Sequence, residues 1–208
     1  MFDVRNLTSI SSLSLMAAAV VFGAAIFLGD PFEDPLDIRV VGDTAYLNGT
    51  TDGRSQTAIR KLVRDHPQVR RLVLQQMPGT QDMTSNYRLA RSVRKAGLAT
   101  ELEPTSRIAS GAVDLFIAGT ERTVACGAQI GVHSWGSTGY DAQDVSWDTH
   151  RPMSRDFLAD MGLDPDFYDF KTEAAKAADI HWMTDAEMER WDVATEPRKC
   201  PQSSSSSE

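Results

Sequence analysis

The sequence predicts an α/β layer fold with a largely parallel sheet, preceded by an N-terminal transmembrane helix. Three observations predict it. Short strand-like apolar runs alternate with amphipathic helical patterns through the middle of the chain. The run Arg71-Leu72-Val73-Leu74 lacks polar alternation in its apolar part, which suits a strand covered on both faces. Residues 11–29, SSLSLMAAAVVFGAAIFLG, carry no charge over a length that spans a bilayer as a helix.

The apolar run sets the expected compartment. Arg5 precedes it, and Asp30, Glu33, Asp34 and Asp37 follow. A lone Arg before the run favours an N-terminus in the cytoplasm and the remainder outside. The competing reading is a cleaved signal peptide, which needs an A-x-A site after the run. The match at Ala17 to Ala19 falls early inside it, and the run ends in Ile26-Phe27-Leu28-Gly29-Asp30-Pro31 without that pattern. The expected organisation is a cytoplasmic segment 1–10, an anchor 11–29, a linker 30–37, a domain 38–196 and a disordered tail 197–208.

Within the domain, Ile38-Arg39-Val40-Val41 reads as a strand, Gly42-Asp43 as a turn, and 44–49 as the hairpin partner. Residues 54–65 read as a helix with Ile59, Leu62 and Val63 on one face, stopped at Asp65-His66-Pro67. The strand Arg71–Leu74 runs into a turn, Met77-Pro78-Gly79-Thr80. A helix over 83–96 follows, with Gly97 as its C-terminal cap. Residues 99–102 read as a strand, and Gly111 to Ala118 as a short buried helix. Residues 122–125 and 129–132 read as strands separated by a Cys-Gly turn. Residues 136–150 are polar and turn-rich, and 153–162 and 165–177 read as helices. Thr184 and Glu187 form a capping-box pattern for a last helix.

Composition narrows the functions. Of 208 residues 41% are hydrophobic and 24% charged, enough chain for one packed domain plus extra segments. The net charge of −8, with no basic patch interleaved with aromatics, argues against nucleic acid. Cys126 and Cys200 are the only cysteines and no Cys/His cluster exists, so no zinc site is expected. The two could form one disulfide outside the cytoplasm; the plainer reading is a buried Cys126 and an exposed Cys200.

Three local features could carry chemistry. Gly79 in the turn after the strand lets a backbone N–H approach a ligand oxygen, or simply makes a tight turn. Ser110, in Ile108-Ala109-Ser110-Gly111-Ala112-Val113, is either a helix N-cap or a nucleophile with the Gly111 N–H beside it. His133, in Gly131-Val132-His133-Ser134-Trp135, ends an apolar strand and could reach a cleft, although a lone histidine is more often structural. Asp114, one turn after Ser110, could hydrogen-bond near the site or complement the helix start. His150 and His181 read as structural, and Trp135, Trp147 and Trp182 as core or cleft wall.

In order, strand, MPGT, helix, IASGAVDLFIAG and RTVACGAQIGVHSW resemble the proteolytic subunit of Clp proteases, and more closely the periplasmic Clp-protease-like proteins of the Clp protease/crotonase-like superfamily. The resemblance covers roughly 38–193 and is strongest over 71–135. It implies repeated β-β-α units, a serine hydrolase facing the periplasm, a peptide or acyl substrate and no cofactor. It places Ser110 as nucleophile, His133 as general base, and the N–H groups of Gly79 and Gly111 as oxyanion donors. For the acid it implies Asp179 first, with Glu173 and Asp169 as alternatives. The turn lacks the family's usual second glycine. Clp-type subunits form rings, whereas an anchor and the long segment 136–165 speak against ring assembly here. A non-catalytic binding module on the same fold remains open, and an acyl-CoA enzyme of the crotonase branch is the least favoured reading.

Overall fold

The computed structural model describes residues 34–137, 140–144, 148–198 and 200. The expected anchor 11–29, most of the linker, Trp147 and the serine run lie outside the described residues. Among the described residues no helix is long and apolar enough to cross a membrane.

The first unit is the expected hairpin. Strand β1 (Asp37–Val41) pairs antiparallel with β2 (Thr44–Asn48), and α1 (Ser55–Asp65) follows. Two further units repeat a β-β-α order. In one, β3 (Arg71–Leu74) and β4 (Gln76–Met77) precede α2 (Met83–Lys95). In the next, β5 (Ala99–Leu102) and β6 (Arg107–Ala109) precede α3 (Gly111–Ile117). Then come β7 (Arg122–Val124), β8 (Gln129–Val132), the small pair β9 (Gly136–Ser137) and β10 (Tyr140–Asp141), and α4 (Arg151–Asp160). The described chain ends with α5 (Phe167–Ala174), β11 (His181–Trp182) and α6 (Asp185–Arg190).

The strands form two main sheets where the sequence suggested one. The larger has the order β1-β2-β3-β5-β7, with β2, β3, β5 and β7 parallel. The smaller has the order β11-β8-β6-β4; β4, β6 and β8 run parallel and β11 antiparallel. Each of the later units therefore switches sheets between its two strands. β4, β6 and β11 escape sequence reading because two or three residues show no alternation long enough to detect. Met77, read as part of a turn, is the buried end of β4.

Burial explains the helices. Ile59 and Leu62 of α1, Leu89, Ala90 and Val93 of α2, and Ala112, Val113, Leu115, Phe116 and Ile117 of α3 are buried in one core. Asp82 caps α2 by accepting from the Ser85 N–H. The Thr184/Glu187 capping box forms as the pattern predicts. α4 and α5 occupy 151–160 and 167–174, and their expected spans were off by a few residues at each end.

Cys126 and Cys200 form a disulfide, which overturns the plainer reading of two separate thiols. The segment expected to start a disordered tail is tied down. Arg198 bonds Asp185 and the Ala125 carbonyl, and just before it, at the end of the expected domain, Thr195 Oγ1 accepts from the Arg122 N–H at 2.8 Å.

Candidate active site

Ser110 sits between the end of β6 and the start of α3. Its N–H donates to the Gly131 carbonyl on β8 at 3.0 Å, and its own carbonyl accepts from Val113 at 3.0 Å. Its backbone is at φ 54°, ψ −131°, a conformation that costs a non-glycine residue about 1–3 kcal/mol. Its side chain makes no capping hydrogen bond, so the N-cap reading fails. The backbone instead turns sharply at the serine.

Gly79 packs directly against it. A β-carbon at 79 would lie 2.9 Å from Ser110 Cβ and 3.3 Å from Ser110 Oγ. Gly111 is equally confined: a β-carbon there would meet Thr80 Cγ2 at 2.4 Å. Among the described residues the N–H groups of Gly79 and Gly111 donate no hydrogen bond. Two backbone donors are thus left unused beside the serine.

Asn86, which no sequence motif singles out, holds this corner together. Its Nδ2 donates to the Gly111 carbonyl at 2.8 Å and its Oδ1 accepts from Thr51 Oγ1 at 2.9 Å. Thr51 in turn donates its N–H to the Gly79 carbonyl at 3.1 Å. The network is buried and links α2, the Gly79 turn and the start of α3. A helix-interior Asn at the second turn is unremarkable in sequence, because its partners come from three separate segments.

His133, at the end of β8, lines the same cavity of about 60 Å³ as Ser110. No hydrogen bond joins Ser110 Oγ to His133 among the described residues, and His133 Nδ1 is buried without a partner. Burial pushes the imidazole below its ordinary pKa, and the Lys171 charge adds to this. The Ser134 backbone and the Asp141 carboxylate act in the opposite direction.

The acids expected to partner His133 do not do so. Asp179 is exposed and lines a second cleft that His133 also borders, but it makes no hydrogen bond to the imidazole. Asp169 pairs with Arg151 and Arg155, and Glu173 is exposed. The physical reason is that Asp179 lies in the exposed loop before β11, residues 178–180, rather than against the imidazole. Asp141, eight residues after His133, is the acid whose charge reaches the ring. It is buried and accepts from the Ala177 N–H at 2.5 Å and the Gln143 N–H at 2.9 Å.

Asp114 hydrogen-bonds near the site, the first of its two expected roles, with Lys171 as its partner. Its Oδ1 takes the Lys171 ammonium at 2.6 Å, with side chains 7% and 11% exposed, and both residues line the Ser110 cavity. Around this pair Tyr87 donates to Ser154 Oγ at 2.9 Å, and Trp135 Nε1 donates to the Tyr168 hydroxyl at 2.8 Å. His150 stacks edge-on against Trp135 and His181 bonds Glu187, the structural roles expected of them.

The second cleft has a volume of about 240 Å³ and is mainly apolar, walled by Met77, Pro78, Ala109, Ile180 and Trp182. Arg107 lies over the Trp182 ring at 4.4 Å. His133 stands between this cleft and the Ser110 cavity. Among the described residues no group of His, Cys, Asp and Glu could hold a metal ion.

No protein-family model and no curated protein matches the sequence. Solved structures do match in shape. An enoyl-CoA hydratase/isomerase family protein from Hyphomonas neptunium is similar at a TM-score of 0.50 with 14% identity, over 82% of this chain and 71% of that one. Human enoyl coenzyme A hydratase domain-containing protein 3 is similar at 0.50 with 7% identity, over 81% and 72%. A membrane-bound stomatin-specific protease is similar at 0.50 with 10% identity, over 76% and 78%. At such identities the likeness is one of fold, and the fold of this chain is the crotonase-like α/β fold of those structures.

Proposed function

We propose that this chain is a membrane-anchored serine hydrolase that acts in the periplasm on a peptide or acyl substrate. One observation carries the reading: a serine on a strained turn, a histidine and Gly111 with its unused N–H line one cavity, and Gly79 packs directly against the serine. Strain at Ser110 is hard to account for as packing, and it aims a side chain where an ordinary helix start would not.

In the proposed reaction Ser110 Oγ attacks the acyl carbon while His133 takes its proton. The N–H groups of Gly79 and Gly111 hold the tetrahedral oxyanion. His133 then returns the proton to the departing amine or alcohol, which leaves an ester on Ser110. Water, deprotonated by His133, attacks that ester and releases the acid, restoring the serine. Among the described residues no carboxylate bonds His133 Nδ1, and the charge of Asp141 only partly offsets the effect of burial on the imidazole. The apolar cleft beside His133 would take an apolar part of the substrate.

The test is labelling of the full chain in detergent by a fluorophosphonate probe, beside Ser110→Ala and His133→Ala. Labelling of the parent that disappears in both variants is expected. Absence of labelling in a folded parent would favour a second reading, a binding module on this fold. That reading is supported by the absence, among the described residues, of a partner for His133 Nδ1 and of a capping bond from the Ser110 side chain.

A further inference from the structure

The protein is acidic, yet its charge is segregated along the chain. From Arg54 to Leu98 there are ten Lys and Arg against two carboxylates; the remaining residues carry eleven against twenty-seven. No carboxylate occurs between Arg54 and Arg64, or between Met83 and Lys95. Those two stretches become α1 and α2, which pack side by side. Gln56 Nε2 fixes the pairing by donating to the Arg88 carbonyl and to Ser92 Oγ, at 3.3 and 3.2 Å.

Folding therefore gathers cations that are scattered in sequence. Arg60, Lys61, Arg64, Arg88 and Lys95 are all exposed on the two helices. Spacing of three and four residues puts Arg60, Lys61 and Arg64 on one side of α1, and Arg88, Arg91 and Lys95 on one side of α2. Some of these charges are answered locally, Arg64 by Asp65 and Arg91 by Asp160. Arg60, Lys61, Arg88 and Lys95 have no carboxylate within ion-pair distance among the described residues. Like charges gathered this way repel one another and favour an anionic partner.

We propose that the α1–α2 face docks on anionic phospholipid headgroups of the membrane that holds the N-terminal segment. This inference rests on the anchor in the reading above. The position of the chain's entry favours lipid over an acidic protein. The Thr50 N–H donates to the Asp34 carbonyl at 2.8 Å, so the tether joins the domain five residues before α1 begins at Ser55. Asp34 lies five positions after the end of the apolar run at Gly29, a reach of at most about 17 Å. An anchor of that length keeps the entry end of α1 within a few screening lengths of the headgroups, and each cation near an anionic surface adds to the attraction.

The test uses the full chain in nanodiscs of phosphatidylcholine alone or of phosphatidylcholine mixed with phosphatidylglycerol. The readout is the rate of acylation at Lys61 and Lys95 by an amine-reactive ester, with Lys176, which lies outside the two helices and pairs with Asp144, as internal control. We expect acylation of Lys61 and Lys95 to slow roughly fivefold in the anionic discs, with Lys176 unchanged. The contrast should vanish in high salt and in an Arg60→Glu/Arg88→Glu variant that keeps its melting temperature. Equal rates in both discs would overturn the proposal while leaving the anchor intact. Retention by anionic discs but not by neutral ones would support the face and sink the anchor. Protection that follows protein concentration and not lipid charge would overturn it in favour of contact with the acidic part of a second copy. None of these outcomes depends on Ser110, so failure of the hydrolase reading is separate.

Discussion

Gly79 and Ser110 touch through the space that a side chain at 79 would need: a β-carbon there would lie 2.9 Å from Ser110 Cβ. The glycine is at φ +151°, where an L side chain is rarely found. Gly79→Ala therefore adds backbone strain and a contact that only movement of the serine relieves. We expect a stability loss of about 1–3 kcal/mol and a loss of probe labelling at Ser110 greater than tenfold. Urea melts together with labelling rates would separate the two. Wild-type labelling in the alanine variant would show that the turn does not set the serine's position.

The strain at Ser110 predicts a gain from its removal. Glycine tolerates φ 54°, ψ −131°, whereas alanine keeps the penalty. Ser110→Gly should be more stable than Ser110→Ala by about 1 kcal/mol, even though glycine costs entropy in the unfolded chain. Comparison of urea midpoints for the two inactive variants reads this directly. A less stable glycine variant would mean that Ser110 is not strained.

The units around this turn were legible because each one is local. The hairpin, the buried run Arg71–Leu74 and the helices with Ile59, Leu62, Leu89 and Val93 all show in periods of two or 3.6 residues. What stayed hidden depends on distance in sequence. β4 and β11 exist through ladders to β6 and β8, not through their own pattern. Asn86 meets Thr51 and Gly111 only after folding, and Asp141 reaches His133 from a polar stretch that reads as loop. Order of motifs in the resemblance pointed to Ser110, His133 and both glycines, because these lie at strand ends. Asp179 lies beyond the region where that order is strong, and in the fold it is exposed and makes no bond to His133 Nδ1.

Lys171 and Asp114 join α5 to α3 by a buried ion pair at 2.6 Å. Removing one partner leaves the other charge with little water, which costs about 3–5 kcal/mol. Lys171→Met and Asp114→Leu should each lose roughly that much, in urea or thermal melts. The double variant should recover most of it, since two apolar side chains of similar size can replace a buried pair at little cost. Additive losses in the double variant would mean the pair acts through separate contacts.

The pH dependence of Ser110 labelling should report His133. A general base must be neutral, and burial holds this imidazole below its ordinary pKa of about 6.5. Labelling should therefore persist below pH 6.5 and fall only as the folded-state pKa is passed. Stability has the same sign. Below pH 6.5 the unfolded chain takes up the proton first, so the folded state loses stability as pH falls through that window. Lys171 contributes to the depression and Asp141 opposes it. Lys171→Met should therefore move the labelling midpoint up, and Asp141→Asn should move it down. A midpoint that ignores both substitutions would place the titrating group somewhere other than His133.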